Sequence, residues 1–468
     1  MSDTDREKFS LGHALAYSSG LFSDVLSYQF FTFLIFTFYF SIIQVPTAVM
    51  TIGWIIWSVW NALNDPMWGV LSDRTNTKWG KRRPYIIASI VPLCIIVILL
   101  WTPLKLTIPG WPKLSEFLYF LFIIIAFDTI YTMFSINQTS LFPEMFQSLE
   151  VRGKVNNVRQ IFSVIALIFA FIVPTFFFEP GTTFTNPVNE PNYFNAGVFI
   201  AIVMFIGALI MIIWGIKEKP EFKVDKKETP TFFKSIKITF KNRAFVCYAI
   251  TALANWYVFG MLPTIVPLYG EFVLGVLDTT LQSILLGVAF LSAAIFVFFW
   301  RFVTHKIGLR KGFMFSMVVF IITLFPFMFI GDFLSGLIVF FFVGAGLAGS
   351  LFFRDPLVGA VADQDELTTG VRREGSFYGV NALVIRLSTI FIFISIGSVF
   401  ESVGWAVFDP LADPEIGLRL LMFVFPAIAL VVGIISMYFY PITKEKFEQI
   451  KEEVNKLHRE KAARVTRE

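Results

Sequence analysis

Two polar side chains interrupt an otherwise apolar stretch near residue 60 in a pattern that suits cation chemistry. Asn61 and Asp65 are four residues apart, so on a helix they lie one above the other on the same face. Carboxylate and amide oxygens on adjacent turns suit a small hard cation or a proton relay. A carboxylate inside an apolar helix also costs free energy, and packing alone does not explain why such a residue is present. The pair therefore indicates an ion or proton site.

A dense basic loop follows this helix directly. Its members are Asp73, Arg74, Lys78, Lys81, Arg82 and Arg83. Cations at this density suit either an anchor for anionic lipid or an ionic gate between helix ends. The acid that precedes the cations favours the gate. We therefore predict a cytoplasmic gate formed by Asp73, Arg74, Arg82 and Arg83.

A similar acid-and-base group recurs later in the chain. Asp363 is followed by Arg372 and Arg373 at almost the same spacing as Glu144 is followed by Arg152. The two groups are separated by roughly half the chain, as a duplicated six-helix unit requires. We therefore add Asp363, Arg372 and Arg373 to the predicted gate.

Three further charged residues lie at mid-depth in apolar stretches: Asp24, Asp128 and Arg386. A charge near the centre of a bilayer costs about 2.5–3.5 kcal/mol, so such residues face a cavity or a partner. They could pair among themselves and only hold helices together. Because mid-depth charges along a central path are how transporters bind solutes, we predict that they contact the substrate.

The composition identifies the class of protein that must position these residues. The chain has 468 residues, of which 56% are hydrophobic and only 15% are charged. Its mean hydropathy is +0.71. The excess lies in runs of about 20 apolar residues, the length that crosses a bilayer as a helix. This is typical of an all-α polytopic membrane protein, and the net charge of +4 reflects basic loops rather than nucleic-acid binding. The two cysteines, Cys94 and Cys247, indicate neither a metal site nor a disulfide framework.

Hydropathy predicts twelve spans in two sets of six. They lie near residues 14–42, 46–72, 85–103, 115–142, 158–179, 193–216, 244–270, 279–304, 312–331, 334–358, 376–400 and 418–441. We predict six-helix bundles at 1–216 and 244–442, a cytoplasmic central loop at 217–243, and a cytoplasmic amphipathic tail at 443–468. In the tail, Phe447, Ile450 and Val454 form an apolar stripe that is typical of a helix lying on the membrane surface.

The cations also predict the orientation. Lys and Arg are concentrated in the loops after the even-numbered spans and in both tails. By the positive-inside rule, both termini are expected in the cytoplasm. The polar N-terminus lacks the apolar core of a removable signal peptide, so we expect a multi-pass protein of the cell membrane.

Two motifs carry a resemblance to a known family. The first comprises Asn64-Asp65-Pro66, Asp73-Arg74-Thr75 and Trp79-Gly80-Lys81-Arg82-Arg83-Pro84, and the second runs from Ala362 to Tyr378. They resemble the glycoside–pentoside–hexuronide cation symporters of the major facilitator superfamily, the group that contains the melibiose permease. The resemblance implies a twelve-helix fold with a central site open alternately to either side. It also implies co-transport of a sugar or glycoside with Na⁺ or H⁺.

The resemblance also assigns individual residues. Asp65 matches an acid of the family's cation site, and Thr132 matches its threonine on the fourth span. Ser135 stands where an acid is expected, and Asn61 stands where relatives have the companion acid. Arg159 matches the substrate-site arginine of the fifth span, and Arg386 replaces a lysine. We therefore predict a cation site of Asn61, Asp65, Thr132 and Ser135, and a substrate site of Asp24, Asp128, Arg159 and Arg386.

The function favoured is secondary active transport of a sugar or glycoside-like solute by alternating access. A lysolipid or other amphiphile symporter of the same superfamily is the alternative, because the chain's 58 Phe residues could line an amphiphile path. A membrane enzyme is not expected, since no metal cluster, nucleophile elbow or phosphate loop is evident. A receptor or scaffold without transport is also conceivable. We expect no cofactor beyond a coupling ion. We also expect the protein to be a monomer surrounded by lipid.

Overall fold

The computed structural model describes residues 9–75, 77–106, 109, 113–146, 149–217, 237–369 and 374–465. Within these ranges the regular secondary structure is helical, apart from one β-bridge that joins Thr77 to Gly80 in the basic loop. The helices are α1 Leu11–Thr37, α2 Thr47–Arg74, α3 Arg83–Leu99, α4 Leu114–Met145, α5 Leu149–Ile172, α6 Glu190–Ile210, α7 Arg243–Phe272, α8 Thr279–Leu324, α9 Phe333–Thr369, α10 Glu374–Ser402, α11 Glu415–Arg419, α12 Phe425–Tyr438 and α13 Lys444–Val465.

The predicted spans correspond to these helices. Among the described residues, nine helices are long and apolar enough to cross a membrane, including Glu415–Tyr438. One of them, Thr279–Met328, is 50 residues long and bends at Gly308, whose positive φ of 81° breaks the helical path, so it covers two predicted spans. The more polar α2 and the shorter α3 cover the remaining two.

Contacts divide the chain into two compact units. Unit 1 comprises Met1–Glu228, Pro263–Gly287 and Ile396–Glu415, and unit 2 comprises Thr229–Leu262, Val288–Ser395 and Ile416–Glu468. In unit 1, α1 packs against α5 and α6, while α4 packs against both α2 and α3. The predicted domain boundaries stay a prediction, because residues 218–236 of the central loop lie outside the described residues.

Small residues let α1 and α6 approach closely in unit 1. A Cβ at Gly207 would lie 2.5 Å from Ser23 Oγ and 3.0 Å from the Ser19 carbonyl oxygen. In return, Ser19 Oγ donates to the Gly207 carbonyl at 2.8 Å, and Ser23 Oγ donates to the Met204 carbonyl at 2.7 Å. Close backbone approach with interhelical hydrogen bonds stabilises helix pairs in lipid, where apolar side chains gain little by association.

Unit 2 is joined by buried polar contacts. Ser350 Oγ of α9 donates to Asn255 Oδ1 of α7 at 2.7 Å, and Thr251 Oγ1 donates to the Gly433 carbonyl of α12 at 3.0 Å. Each contact satisfies a polar group that would otherwise face apolar surroundings, so it fixes the rotation of both helices.

The tail differs from its predicted role as a helix on the membrane surface. Helix α13 packs against α9, and the exposed fractions of Ile450 and Val454 are only 5% and 6%. Lys444 Nζ also donates to the His305 and Lys306 carbonyls, at 3.2 and 3.1 Å. The prediction of a lipid-facing stripe was wrong, because the apolar face of the helix is buried by the protein itself.

We predict that Gly207→Val lowers the thermal stability of the purified protein. The added methyl groups would push α1 away from α6 and break both serine hydrogen bonds, with an expected loss of about 2 kcal/mol or more. Thermal unfolding followed by intrinsic fluorescence measures the change. Gly153→Val is the matched control, because no atom lies within 4 Å of a Cβ built there. Equal melting temperatures for the two variants would contradict the prediction.

Candidate functional site

A cluster of five polar side chains joins α2 to α4 inside unit 1. Asn61 contacts Asp128, and Asp65 contacts Thr132, and the partners in both pairs are 67 residues apart in sequence. Each helix therefore advances by four residues, about one turn, between the two contacts. The helices run parallel here and present one polar face each. We call Asn61, Asn64, Asp65, Asp128 and Thr132 the polar cluster.

The carboxylate of Asp128 is the centre of the cluster and is fully buried. Asn61 Nδ2 donates to its Oδ1. Asn64 Nδ2 lies 3.0 Å from its Oδ2 and 2.9 Å from its main-chain oxygen. A buried carboxylate needs hydrogen-bond donors to replace water, and the two asparagines of α2 provide them.

The two asparagines also direct oxygen atoms into the cluster. Asn61 Oδ1 and Asn64 Oδ1 are buried and have no hydrogen-bond partner among the described residues. Because their amide nitrogens face Asp128, their oxygens must point elsewhere. Buried acceptors without donors are costly, and such groups in native structures often mark the place of a ligand or an ion.

Asp65 completes the acidic content of the cluster. It is half-buried, and its Oδ1 accepts a hydrogen bond of 3.3 Å from Thr132 Oγ1. Ser135, one turn further along α4, is half-buried and makes no side-chain hydrogen bond within the described part of the chain. The structure therefore brings together three residues of the predicted cation site and leaves the fourth beside them.

The donor set of the cluster fits a small hard cation. It consists of two carboxylates, two carboxamide oxygens without donors, and one hydroxyl, all of them oxygen. In the described residues, no three His, Cys, Asp or Glu side chains are grouped to hold a metal ion. A cation here would supply positive charge to the buried acceptors, whereas a proton on one carboxylate would neutralise it and supply an O–H donor.

A second polar group lies near the C-terminal end of α4. Arg159 of α5 lies over the Phe142 ring, 4.2 Å from its centroid, and 5.8 Å from the centroid of Tyr17. Asp24 of α1 is buried and close enough to interact with the charge of Arg159. Arg159 Nε and Gln138 Nε2 are buried donors that have no hydrogen-bond partner among the described residues. Buried donors of this kind beside a carboxylate suit the binding of a hydroxyl-rich solute.

The remaining predicted residues are placed as follows. Arg386 is half-buried on α10 in unit 2, and Asp363 is half-buried on α9 in the same unit. Arg82 is buried and Arg83 half-buried at the start of α3. The side chains of Asp73 and Arg74, and the whole of Arg372 and Arg373, lie outside the described residues. The gate therefore stays a prediction.

The structure adds Asn64 to the site and gives Asp128 a different neighbourhood from the one expected. Asp128 is predicted to contact the substrate together with Asp24, Arg159 and Arg386, which stays a prediction, and the structure places its carboxylate against two asparagines of α2. The signal for Asn64 was present, because residues 61, 64 and 65 have the i, i+3, i+4 spacing of one helix face. Nothing in the sequence indicated which of the acids on other helices this face would meet.

We predict that Asn61→Asp destabilises the protein at neutral pH, because it replaces a donor to Asp128 with a second carboxylate. The lost hydrogen bond alone is worth about 1–3 kcal/mol, and like-charge repulsion adds to it. The melting temperature of the purified protein measures the effect.

The reciprocal double variant Asn61→Asp with Asp128→Asn is the control. It restores one carboxylate facing one carboxamide, so most of the lost melting temperature should return. A double variant that is as unstable as, or less stable than, the single one would show that this pairing does not stabilise the helices.

Comparisons with known proteins agree with this architecture. Residues 16–444 match the family described as MFS/sugar transport protein. The chain is 23% identical, over 534 aligned positions, to an uncharacterized symporter of Synechocystis sp., covering 96% of this chain and 97% of that protein. It is 22% identical to the isoprimeverose transporter of Lactiplantibacillus pentosus, covering 66% of this chain and 62% of that protein.

A likeness to solved structures supports the fold. The nucleoside transporter NupG superposes with a TM-score of 0.67 at 13% identity, covering 92% of this chain and 99% of that chain. The predicted fold class, the resemblance to the symporter family and the multi-pass membrane topology are thereby confirmed. The chain belongs to the MFS/sugar transport protein family, and it is a membrane transporter of small solutes rather than an enzyme.

Proposed function

We propose that this protein moves a sugar or glycoside-like solute across the cell membrane by cation-coupled symport with alternating access. The polar cluster of α2 and α4 carries the proposal, because it places two carboxylates and two unused carboxamide oxygens inside one helix bundle. Family membership and the similarity to an isoprimeverose transporter support a sugar as the solute.

The coupling ion is Na⁺ or H⁺, and Asp65 is its main ligand in this proposal. Asp128 is fully buried and accepts hydrogen bonds from two asparagines, whereas Asp65 is only half-buried and its bond from Thr132 is a long one of 3.3 Å. A cation approaching from water would therefore reach Asp65 first. Thr132 and the oxygens of Asn61 and Asn64 would complete its surroundings, with Ser135 as an adjacent hydroxyl.

The solute site in this proposal lies around Asp24 and Arg159. The carboxylate can accept hydrogen bonds from solute hydroxyl groups, and the buried Arg159 Nε can donate to them. The Tyr17 and Phe142 rings pack against the Arg159 guanidinium and hold it in position. Arg386 on α10 is proposed as the contribution of the second half of the chain.

The proposal also includes the predictions on membrane orientation, oligomeric state and the cytoplasmic gate. Both termini are placed in the cytoplasm, the protein acts as a monomer surrounded by lipid, and the gate is formed by the charged residues at the cytoplasmic helix ends. Of these, Arg82, Arg83 and Asp363 lie within the described residues.

We predict that Asp65→Asn abolishes solute accumulation driven by an ion gradient but retains solute exchange. The amide keeps the shape of the site but loses the charge that binds the ion, so the free energy of the gradient is no longer linked to the solute. The measurement compares gradient-driven uptake with counterflow in proteoliposomes.

The matched control is Asp355→Asn, which changes the same Asp-Pro dipeptide at an exposed position of α9, where the Asp355 side chain is 66% exposed. It should leave both activities near the level of the parent protein. Full accumulation by Asp65→Asn would show that Asp65 does not carry the coupling ion.

We also predict that sugars stabilise the protein and that Arg159→Lys removes this effect. A lysine ammonium cannot reproduce the planar set of guanidinium donors, so solute affinity should fall by about tenfold or more. A thermal-shift screen against sugars, glycosides and lysolipids, with and without Na⁺, measures the binding. Stabilisation by lysolipids alone would favour amphiphile transport instead.

A further inference from the structure

Residues 178–190 form a folded segment between α5 and α6 that we call the latch segment. Asn189 is fully buried and holds it together. Its Oδ1 accepts from the Glu179 amide at 3.1 Å, and its Nδ2 donates to Thr182 Oγ1 and to the Thr183 carbonyl, both at 2.8 Å. These bonds, with one from the Tyr193 hydroxyl of α6 to the Phe184 carbonyl at 2.7 Å, fix the shape of the segment without using α7 or α8.

The latch segment makes polar contacts with the end of α7 and the start of α8, all of them within unit 1. Thr185 Oγ1 lies 2.7 and 2.5 Å from the two carboxylate oxygens of Glu271. The Thr279 amide donates to the Thr182 carbonyl at 3.0 Å. The Gly181 amide donates to Asp278 Oδ2 at 3.2 Å.

A second group of contacts joins the same parts of the chain through aromatic rings. The end of α1 continues into a π-helical turn, and Phe40 of this turn lies edge-on to Trp405, 5.1 Å between ring centroids. Phe272 at the end of α7 also contacts Trp405, at 5.0 Å. The Thr47 amide at the start of α2 donates to the Ala406 carbonyl at 2.9 Å. The loops following α7 and α10 are therefore both attached to the first half of the chain.

The polar contacts can break without unfolding either side. Asp278 uses Oδ2 for the latch segment, while its Oδ1 caps α8 by accepting from the Thr280 and Leu281 amides at 2.9 and 3.1 Å. The internal bonds of Asn189 go to Glu179, Thr182 and Thr183, so separating the segment from α7 does not require breaking them. Water can hydrate Glu271 and Thr185 once they are apart, which makes the contact reversible.

We propose that Thr185 and Glu271 form a latch that holds one face of the transporter closed, and that its opening is a step of the transport cycle. This inference rests on the proposed alternating-access function, because only such a cycle requires the face to open. By the predicted orientation, the latch lies on the side opposite the basic cytoplasmic loops. A hydroxyl donating to a carboxylate in a half-buried place is strong enough to hold the face and weak enough to release it.

Spin-label distance measurements test the latch without any solute. Labels are attached to cysteines at Val188 and Leu277, whose exposed fractions are 62% and 64%, in a Cys94→Ala, Cys247→Ala background. The labels lie on the two sides of the latch, so separation lengthens their distance. In lipid nanodiscs, Thr185→Val should raise the population ratio of long to short distances by about tenfold, the effect of losing a hydrogen bond to a charged acceptor.

Variants at the partner residue show whether the acceptor is what matters. Glu271→Ala should produce the same shift or a larger one, because the Thr183 hydroxyl also interacts with this carboxylate. Glu271→Gln, which keeps a carbonyl acceptor, should produce a smaller shift. Thr185→Val combined with Glu271→Ala should shift the ratio no further than Glu271→Ala alone, because both changes remove the same contact. A folded Glu271→Ala protein with the parent's distances would overturn the proposal even if Thr185→Val fails to fold.

Thr175→Val is the matched control, since the Thr175 hydroxyl donates within its own segment to the Ile172 carbonyl at 2.7 Å. Equal distance distributions for Thr185→Val and Thr175→Val would reject the latch. Solute uptake is measured separately on the same proteins. A shift in distances without uptake of any solute would reject the proposed function and leave the latch, whereas uptake with unchanged distances would reject the latch alone.

Discussion

A carboxylate that is shielded from water must be given hydrogen-bond donors by the protein, and Asp128 imposes this requirement on the α2–α4 pair. Its donors come from Asn61 and Asn64, which are on consecutive turns of α2. Because Asp128 must reach the amides of both asparagines, the rotation of α2 against α4 and the relative position of the two helices along their axes are fixed. The contact between Asp65 and Thr132 one turn further along follows from that register. The geometry of the proposed ion site therefore depends on a neighbouring residue that was not expected to belong to it.

The same arrangement explains how a helix pair could respond to an ion. The asparagines turn their nitrogens toward Asp128, which leaves their oxygens buried without donors among the described residues. A cation or a proton would compensate these acceptors, so the cluster is more stable with a bound charge than without it. The free-energy difference between the ion-bound and ion-free cluster can therefore bias the equilibrium between two conformations of the transporter. In the same unit, the proposed latch segment can open without unfolding. The two features occupy different places but both rely on reversible polar contacts.

Much of this fold could be predicted from the sequence because its main determinant is local. Runs of apolar residues predicted spans that correspond to the long helices of the described residues, and the i, i+4 spacing of Asn61 and Asp65 identified the polar face of α2. The apolar stripe of the tail was also recognised, but the surface predicted to cover it was wrong. Ile450 and Val454 are buried within unit 2, where α13 packs against α9, instead of facing lipid. An amphipathic pattern shows that one face needs covering, but protein and membrane can both cover it.

The sequence by itself determined that this is a helical membrane transporter of a sugar-transport family, with an acid and an amide on α2 suited to a cation. Hydropathy and helical spacing act within a single segment, so they can be read without knowing any neighbour. Only the tertiary structure decided that Asp128 joins Asn61 and Asn64 rather than Arg159, and that Thr185 meets Glu271. Such pairings depend on the rotation, height and packing of helices distant in the chain, and no local pattern specifies those quantities.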